Sequence, residues 1–373
     1  MTQSASFSAT DLAATSENAK AVLAAAGARA EALVAAWIKA GNAAAVLEAS
    51  EQAQGATRKA AKRGLNVLKS RGVTIPEKRH VASLQSEEAS EEQALMLAPD
   101  PSGVVVFALY RRSTTGKTRV CFVLLRDGQG IARIENGDLS TSKIKEQLRK
   151  AFPYADYDAI PVSPAWARSR IASARKTHVA RGLIEPLGFD TAEPLLTPVP
   201  AEATAHPFDE EGFEFADDDA RSMTAQSASL HQQPEFRRLF PPAVEVDALL
   251  RKVGEHFTPG QSPEPDALAS WIKEEVAAAT DRYFTPEVRA DLSGLLKDSG
   301  LSILSREGES VALQVAALIQ VIGKAGLITE PPREIPFLRG YFEKAISLLA
   351  AQNRGGLPIP VPTAPEQATA SAG

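Results

Sequence analysis

Only one cysteine, Cys121, occurs in 373 residues, so no intramolecular disulfide can form and a reducing, cytoplasmic setting is expected. It lies within an apolar strand-like run, which suits a core thiol better than a nucleophile, since reactivity needs access and a lowered pKa. Histidine is sparse too, at five residues. His80, His178, His206, His231 and His256 are scattered singly, with no two one helical turn apart, so no metal site is expected. No basic segment precedes an apolar core at the N-terminus, and no window approaches the roughly 18 uninterrupted apolar residues of a membrane span, so no membrane contact is expected. Neither charge dominates: 41 Lys and Arg against 46 Asp and Glu leave −5, so any polyanion binding must rest on local clustering.

Catalytic and cofactor signatures are missing as well. Thr115-Gly116-Lys117-Thr118 ends like a phosphate-binding loop, but Arg111 stands where the first glycine belongs. The segment also runs strand to strand, whereas phosphate cradling needs amides at a following helix N-terminus, so it reads as a hairpin turn. Asp217-Asp218-Asp219 lacks the alternate spacing and glycine of a calcium loop. Ser113, Ser140 and Ser142 lack the glycine-flanked sharp turn of a nucleophilic serine. No catalytic, cofactor-binding or metal-binding residue is assigned, and an enzyme would have to use a dispersed site.

What the chain does contain is a short strand-forming block inside a largely helical sequence. Val104 to Tyr110, Val120 to Leu125 and Ile131 to Glu135 are β-branched, aromatic and aliphatic runs separated by turn residues, with Asn136-Gly137-Asp138 closing the third before a helix from about Ser142 to Phe152. The first two runs are apolar on both faces and need cover on both sides, and the N-terminal helices are the nearest candidates for one of those covers. The expected class is α+β and predominantly helical, built from an N-terminal helical region, a small antiparallel β-meander with helices, and a C-terminal helical bundle. The expected boundaries are a tail over 1–8, helices over 9–76, a linker over 77–102, the α+β unit over 103–185, a Pro-rich and acidic linker over 186–233, the bundle over 234–353 and a disordered tail over 354–373. Helix breaks are expected at Gly300 and Gly308 among others.

The helix from Thr57 to Ser70 carries the sharpest charge pattern. At about 100° per residue, Ala60, Ala61, Gly64, Leu65, Val67 and Leu68 fall on one arc, and Arg58, Lys59, Lys62, Arg63 and Lys69 on the other. Gly72, just beyond Arg71, is placed to stop it. Residues 42–72, with Arg58, Ala60-Ala61, Leu65 and Leu68 in the second helix, resemble one degenerate HEAT-type helical hairpin. That resemblance implies a packing style and a bias towards binding.

An opposite charge follows later. Asp209-Glu210-Glu211, Glu214 and Asp217-Asp218-Asp219 are seven acids without a base, interleaved with Phe208, Phe213 and Phe215, a composition typical of docking segments. This segment could lie on the basic helix, within one chain or between two copies. The leading functional expectation is a non-catalytic adaptor or scaffold with a protein partner. The alternative is sequence-independent nucleic-acid or ribosome-associated binding through Arg58, Lys59, Lys62, Arg63, Lys69 and Arg71, by phosphate contacts. Oligomeric state is left open.

Overall fold

The computed structural model describes residues 7–16, 18–53, 55–75, 92–112, 118–202, 204–258, 263–326, 329–353 and 356–360. Of the expected tail 354–373, residues 361–373 lie outside them, as do most of the expected linker and residues 113–117, whereas Leu357 and Ile359, expected to be disordered, pack against the core.

Five helices open the chain: α1 (Ala9–Leu12), α2 (Ala19–Ala26), α3 (Ala30–Ala40), α4 (Ala43–Gln52) and α5 (Gly55–Ser70). They form their own core, in which Leu33, Val34, Trp37, Val46, Ala61 and Leu68 are buried. Gly64 lets α5 close on α3, since a Cβ there would fall 2.3 Å from the Ile38 side chain. As expected, Gly72 ends α5: it adopts φ +75°, and the Val73 amide closes back on the Leu68 carbonyl. The stretch Ala19–Ala40 contains an 18-residue window of mean hydropathy 1.5, long and apolar enough by composition to cross a membrane, although Arg29 and Glu31 interrupt it. Here it packs Leu33, Val34 and Trp37 into the helical core.

Strands β1 (Glu92–Leu97), β2 (Val104–Arg112), β3 (Thr118–Arg126), β4 (Gly130–Leu139) and β5 (Ile160–Val162) form one antiparallel sheet in the order β4-β3-β2-β1-β5. The antiparallel register of β2 and β3 runs to Arg112 opposite Thr118, so 113–117 joins strand to strand. Two strand expectations are corrected. The expected linker over 77–102 contains β1, a central strand, because Ala94 and Met96 fill one face of the sheet while Leu95 and Leu97 fill the other. Asn136-Gly137-Asp138 continues β4 by pairing with Cys121, Val120 and Arg119, so the ladder overrides local turn preference.

Both sheet faces are covered, but not by the N-terminal helices. Helix α6 (Thr141–Ala151) brings Ile144 and Leu148 to one face. On the other, α7 (Pro164–Ala180) brings Trp166, Ala167 and Ile171, and α8 (Phe189–Leu196) brings Phe189, Ala192 and Leu195. The segment expected to be an irregular linker over 186–233 is thus partly core. The i, i+3, i+6, i+7 apolar spacing from Phe189 to Leu196 holds α8 together despite Pro194 inside it. The buried Arg168 binds the Leu195 carbonyl at 2.9 Å and Glu92 at 2.6 Å, joining α7 to α8 and β1.

Short helices α9 (Pro207–Glu210), α10 (Asp217–Thr224) and α11 (Pro234–Arg237) lead into the bundle of α12 (Ala243–Glu255), α13 (Pro265–Tyr283), α14 (Pro286–Glu307), α15 (Glu309–Lys324) and α16 (Pro336–Gln352). One hydrophobic cluster runs from the α7-covered sheet face through this bundle, so the two share a core. Gly300 does not break α14, contrary to expectation. Its missing side chain is a seat for the Phe208 ring, which a Cβ would approach to 2.7 Å.

Candidate functional site

The residues expected to bind partners and those expected to dock face each other in one chain. The segment 208–219 lies between α5 on one side and α14 and α15 on the other. Lys62 pairs with Glu211 and Arg63 with Glu214, while Lys69 pairs with Glu309 at the start of α15 at 2.9 Å. Gly212 turns this strap beside α5 at φ +72°, a left-handed conformation that favours glycine, and a Cβ there would lie in ordinary contact, 3.5 Å from the Lys59 carbonyl oxygen. Arg58 turns back to donate to the Ser50 carbonyl at 3.2 Å, and Arg71 is exposed beyond the helix.

The strap holds the bundle by other residues. Phe208 is buried against Gly300 and meets Phe213 edge-on at 5.5 Å, while Phe213 and Phe215 are half-buried on the same core. Lys297 binds Asp209 at 2.8 Å, Lys324 binds Asp217, and the Gln320 amide donates to the Phe215 carbonyl at 3.0 Å. Asp218 pairs with Arg221 on its own helix, and Asp219 is exposed. The three phenylalanines therefore seat on the bundle, and Glu211 and Glu214 reach the basic helix. Lys62 and Glu211 keep only 17% and 29% of their side-chain exposure, so this pair is the least screened of the three on α5. The others are largely exposed and contribute about 0 to 1 kcal/mol apiece. Burial of Phe208 contributes more, roughly 1.5 to 3 kcal/mol. An open groove of about 1030 Å³ remains between α5, the strap and α15, with Asn66, Val67, Asp219 and Leu313 among its walls.

The strap begins at a buried polar network. His206 accepts from the Phe208 amide through Nδ1 at 3.1 Å and, with its proton so placed on Nε2, donates to Asp298 at 2.9 Å. Arg170 bridges Asp298 at 3.0 Å and Asp127 at 2.9 Å, with its guanidinium over Trp166. Both nitrogens of the His206 ring are engaged, which leaves no free lone pair for general-base work. His231 is held in the same way, with Nε2 on the Phe337 carbonyl at 2.8 Å and Lys344 Nζ 3.2 Å from Nδ1. Burial pushes the Cys121 thiol up to about 12, far from nucleophilic range.

One surface was missed from sequence. The last turn of α7 and the loop after it present Val179, Leu183, Ile184 and Leu187 to solvent, the last two 93% and 94% exposed. Its backbone is nonetheless pinned. The Gly182 amide bonds the Val179 carbonyl, the Leu183 amide bonds the His178 carbonyl, and buried His178 reaches the Ile184 carbonyl at 2.8 Å. Arg175 pairs with Glu185 while lying over the Phe189 ring, and Asn136 donates to the Gly188 carbonyl. The residues lack amphipathic periodicity, so the only sequence signal was four large aliphatics within nine residues that also hold Gly182 and Pro186. Neither a protein-family model, a curated protein nor a solved structure matches the chain.

Proposed function

We propose that the chain is a non-catalytic cytoplasmic adaptor or scaffold that binds another protein, with the ridge 179–187 as its principal contact. The observation that carries this reading is Ile184 and Leu187 standing almost fully exposed on a backbone fixed from several sides. A mobile turn could fold such side chains away, whereas a pinned one keeps paying their hydration cost and fits a partner that covers them. The HEAT-type resemblance of 42–72 favours a binding role in the same direction. The groups best able to do chemistry, His206, His231 and Cys121, are engaged or buried.

Nucleic-acid binding through α5 is the weaker alternative, because Glu211, Glu214 and Glu309 already occupy Lys62, Arg63 and Lys69. The test places a photoreactive benzophenone residue at 184, with 244 as the control, since Val244 is also exposed but stands apart from the ridge. A discrete protein adduct at 184, absent at 244 and resistant to nuclease, is expected. Matching patterns at both positions, or an adduct removed by nuclease, would overturn the reading.

A further inference from the structure

The segment that follows α16 passes over α12. Leu357 and Ile359 are half-buried against the shared core, while Pro358 and Pro360 face solvent. A period of two is that of an extended chain laid along a surface with alternate side chains turned in. The sequence supplies the cause: Leu357-Pro358-Ile359-Pro360-Val361-Pro362 alternates an aliphatic residue with proline, which favours an extended, polyproline-like backbone.

Helix α12 has a seat for this segment. A Cβ at Gly254 would fall 2.1 Å from the Pro360 carbonyl oxygen and 3.4 Å from Cγ2 of Ile359, so a larger residue would push the segment off. Gly254 is buried in the last turn of α12, where glycine costs helix stability, and it is not one of the glycines with positive φ. Its conformation gives no reason for a glycine; the close approach of the segment does. At Gly64, Gly300 and Gly340 the atoms nearest the missing Cβ belong to side chains, whereas at Gly254 they are main chain. The seat therefore reads the path of a backbone and tolerates different side chains along it.

The contact is also open to exchange. Among the described residues, no hydrogen bond or ion pair joins 356–360 to the rest of the bundle beyond the end of α16. The Ile359 amide bonds the Leu357 carbonyl within the segment, and the Gly356 amide bonds the carbonyl of Asn353, which caps α16. The prolines have no amide to donate. Two half-buried aliphatic side chains and one seated carbonyl hold the segment, and its short tether to α16 keeps it at high local concentration.

We propose that the seat on α12 recognises extended segments of another protein in which aliphatic residues alternate with proline, and that residues 357–360 occupy it in cis until such a partner displaces them. Proline-rich segments suit this seat because their backbone is already extended, so binding orders little more of it. The site is separate from the ridge 179–187, and the proposal does not depend on the adaptor reading.

The test titrates the full chain into a fluorescein-labelled peptide with the sequence of residues 355–364, read by fluorescence anisotropy. Leu357→Ser with Ile359→Ser frees the seat. This variant is expected to bind the peptide at least about tenfold more tightly than the wild-type chain, in which the resident segment competes. Adding Gly254→Ala to it should abolish binding. Alanine is the better helix former, so a melting temperature equal to or above that of the parent variant assigns the loss to the seat. In the otherwise unchanged chain, Gly254→Ala should expel the resident segment, seen as faster deuterium uptake over 356–359. No peptide binding by the freed variant, equal binding by it and the wild type, full binding after Gly254→Ala, or unchanged uptake would each overturn the proposal. So would a wild-type dimer in sedimentation that Gly254→Ala dissolves, since it would give the seat to a second copy.

Discussion

The α5–strap contact and the ridge after α7 are opposites in what they show to solvent. On α5 a complete segregation of charge, the pattern usually read as a surface awaiting a polyanion, meets carboxylates from the same chain. On the ridge, residues with no periodic pattern leave four aliphatic side chains in water on a fixed backbone. Charge segregation on a helix therefore states that a counter-surface exists, not that it belongs to another molecule. The unsatisfied surface is the one where the fold holds apolar groups out against their hydration cost.

The strongest way to break the comparison is through the strap's anchor. Phe208→Ala should cost about 3 to 5 kcal/mol in urea unfolding, the usual range for a buried phenylalanine, because Gly300 leaves a seat that nothing else fills. Phe215→Ala, at a half-buried position, should cost clearly less. Equal losses at both would mean that the strap is not seated through Phe208.

A smaller effect should appear in the pH dependence of the bundle. His231 is held down to about 4, mainly by burial and secondarily by Lys344 beside it. The unfolded chain takes up that proton near 6.5 and the folded one does not until about 4, so stability falls as pH drops through this window. The loss is at most about 3 kcal/mol. Lys344, lowered to about 8 by burial, adds a second rise in stability as pH climbs from about 8 to 10.5. His231→Asn should flatten the acid window in urea titrations at stepped pH and leave the alkaline one. An unchanged acid slope would contradict the buried neutral imidazole.

Removing the strap's charges should do less to stability and more to binding. Glu211→Gln with Glu214→Gln is expected to cost about 1 to 3 kcal/mol in total, about 0 to 1 from the exposed Arg63–Glu214 pair and the rest from the half-buried Lys62–Glu211 pair. The same variant should bind heparin more tightly, with a log-log salt slope steeper by about 2 as Lys62 and Arg63 become available. Deleting 208–219 outright is a poorer test, because it removes Phe208 from the core. Smallest of all, Leu183→Ser with Leu187→Ser should move stability by less than about 0.5 kcal/mol, as expected for exposed positions, while abolishing the adduct captured by the photoreactive residue at 184.

The α+β class, the meander and most bundle helices were legible because strand runs and 3.6-residue spacings are local signals. β1 was hidden behind acidic residues and had too few apolar residues to stand out alone; its pairing with β2 and β5 supplies the rest. Gly300 was misread because its role is set by Phe208, distant in sequence. Both halves of the charged interface were visible, though not their division of labour. That division depends on which acids reach α5 and which reach Lys297 and Lys324. The ridge was illegible for a different reason: exposure on a pinned turn exists only once the chain has folded.

The most direct test of the internal clasp is zero-length carbodiimide coupling of lysine amines to carboxylates at dilute protein concentration, read by peptide mass spectrometry of the monomer band. The account predicts Lys62 joined to Glu211, Lys69 to Glu309 and Lys297 to Asp209 within single chains. Their absence from the monomer band, or their appearance only in a dimer band, would contradict it.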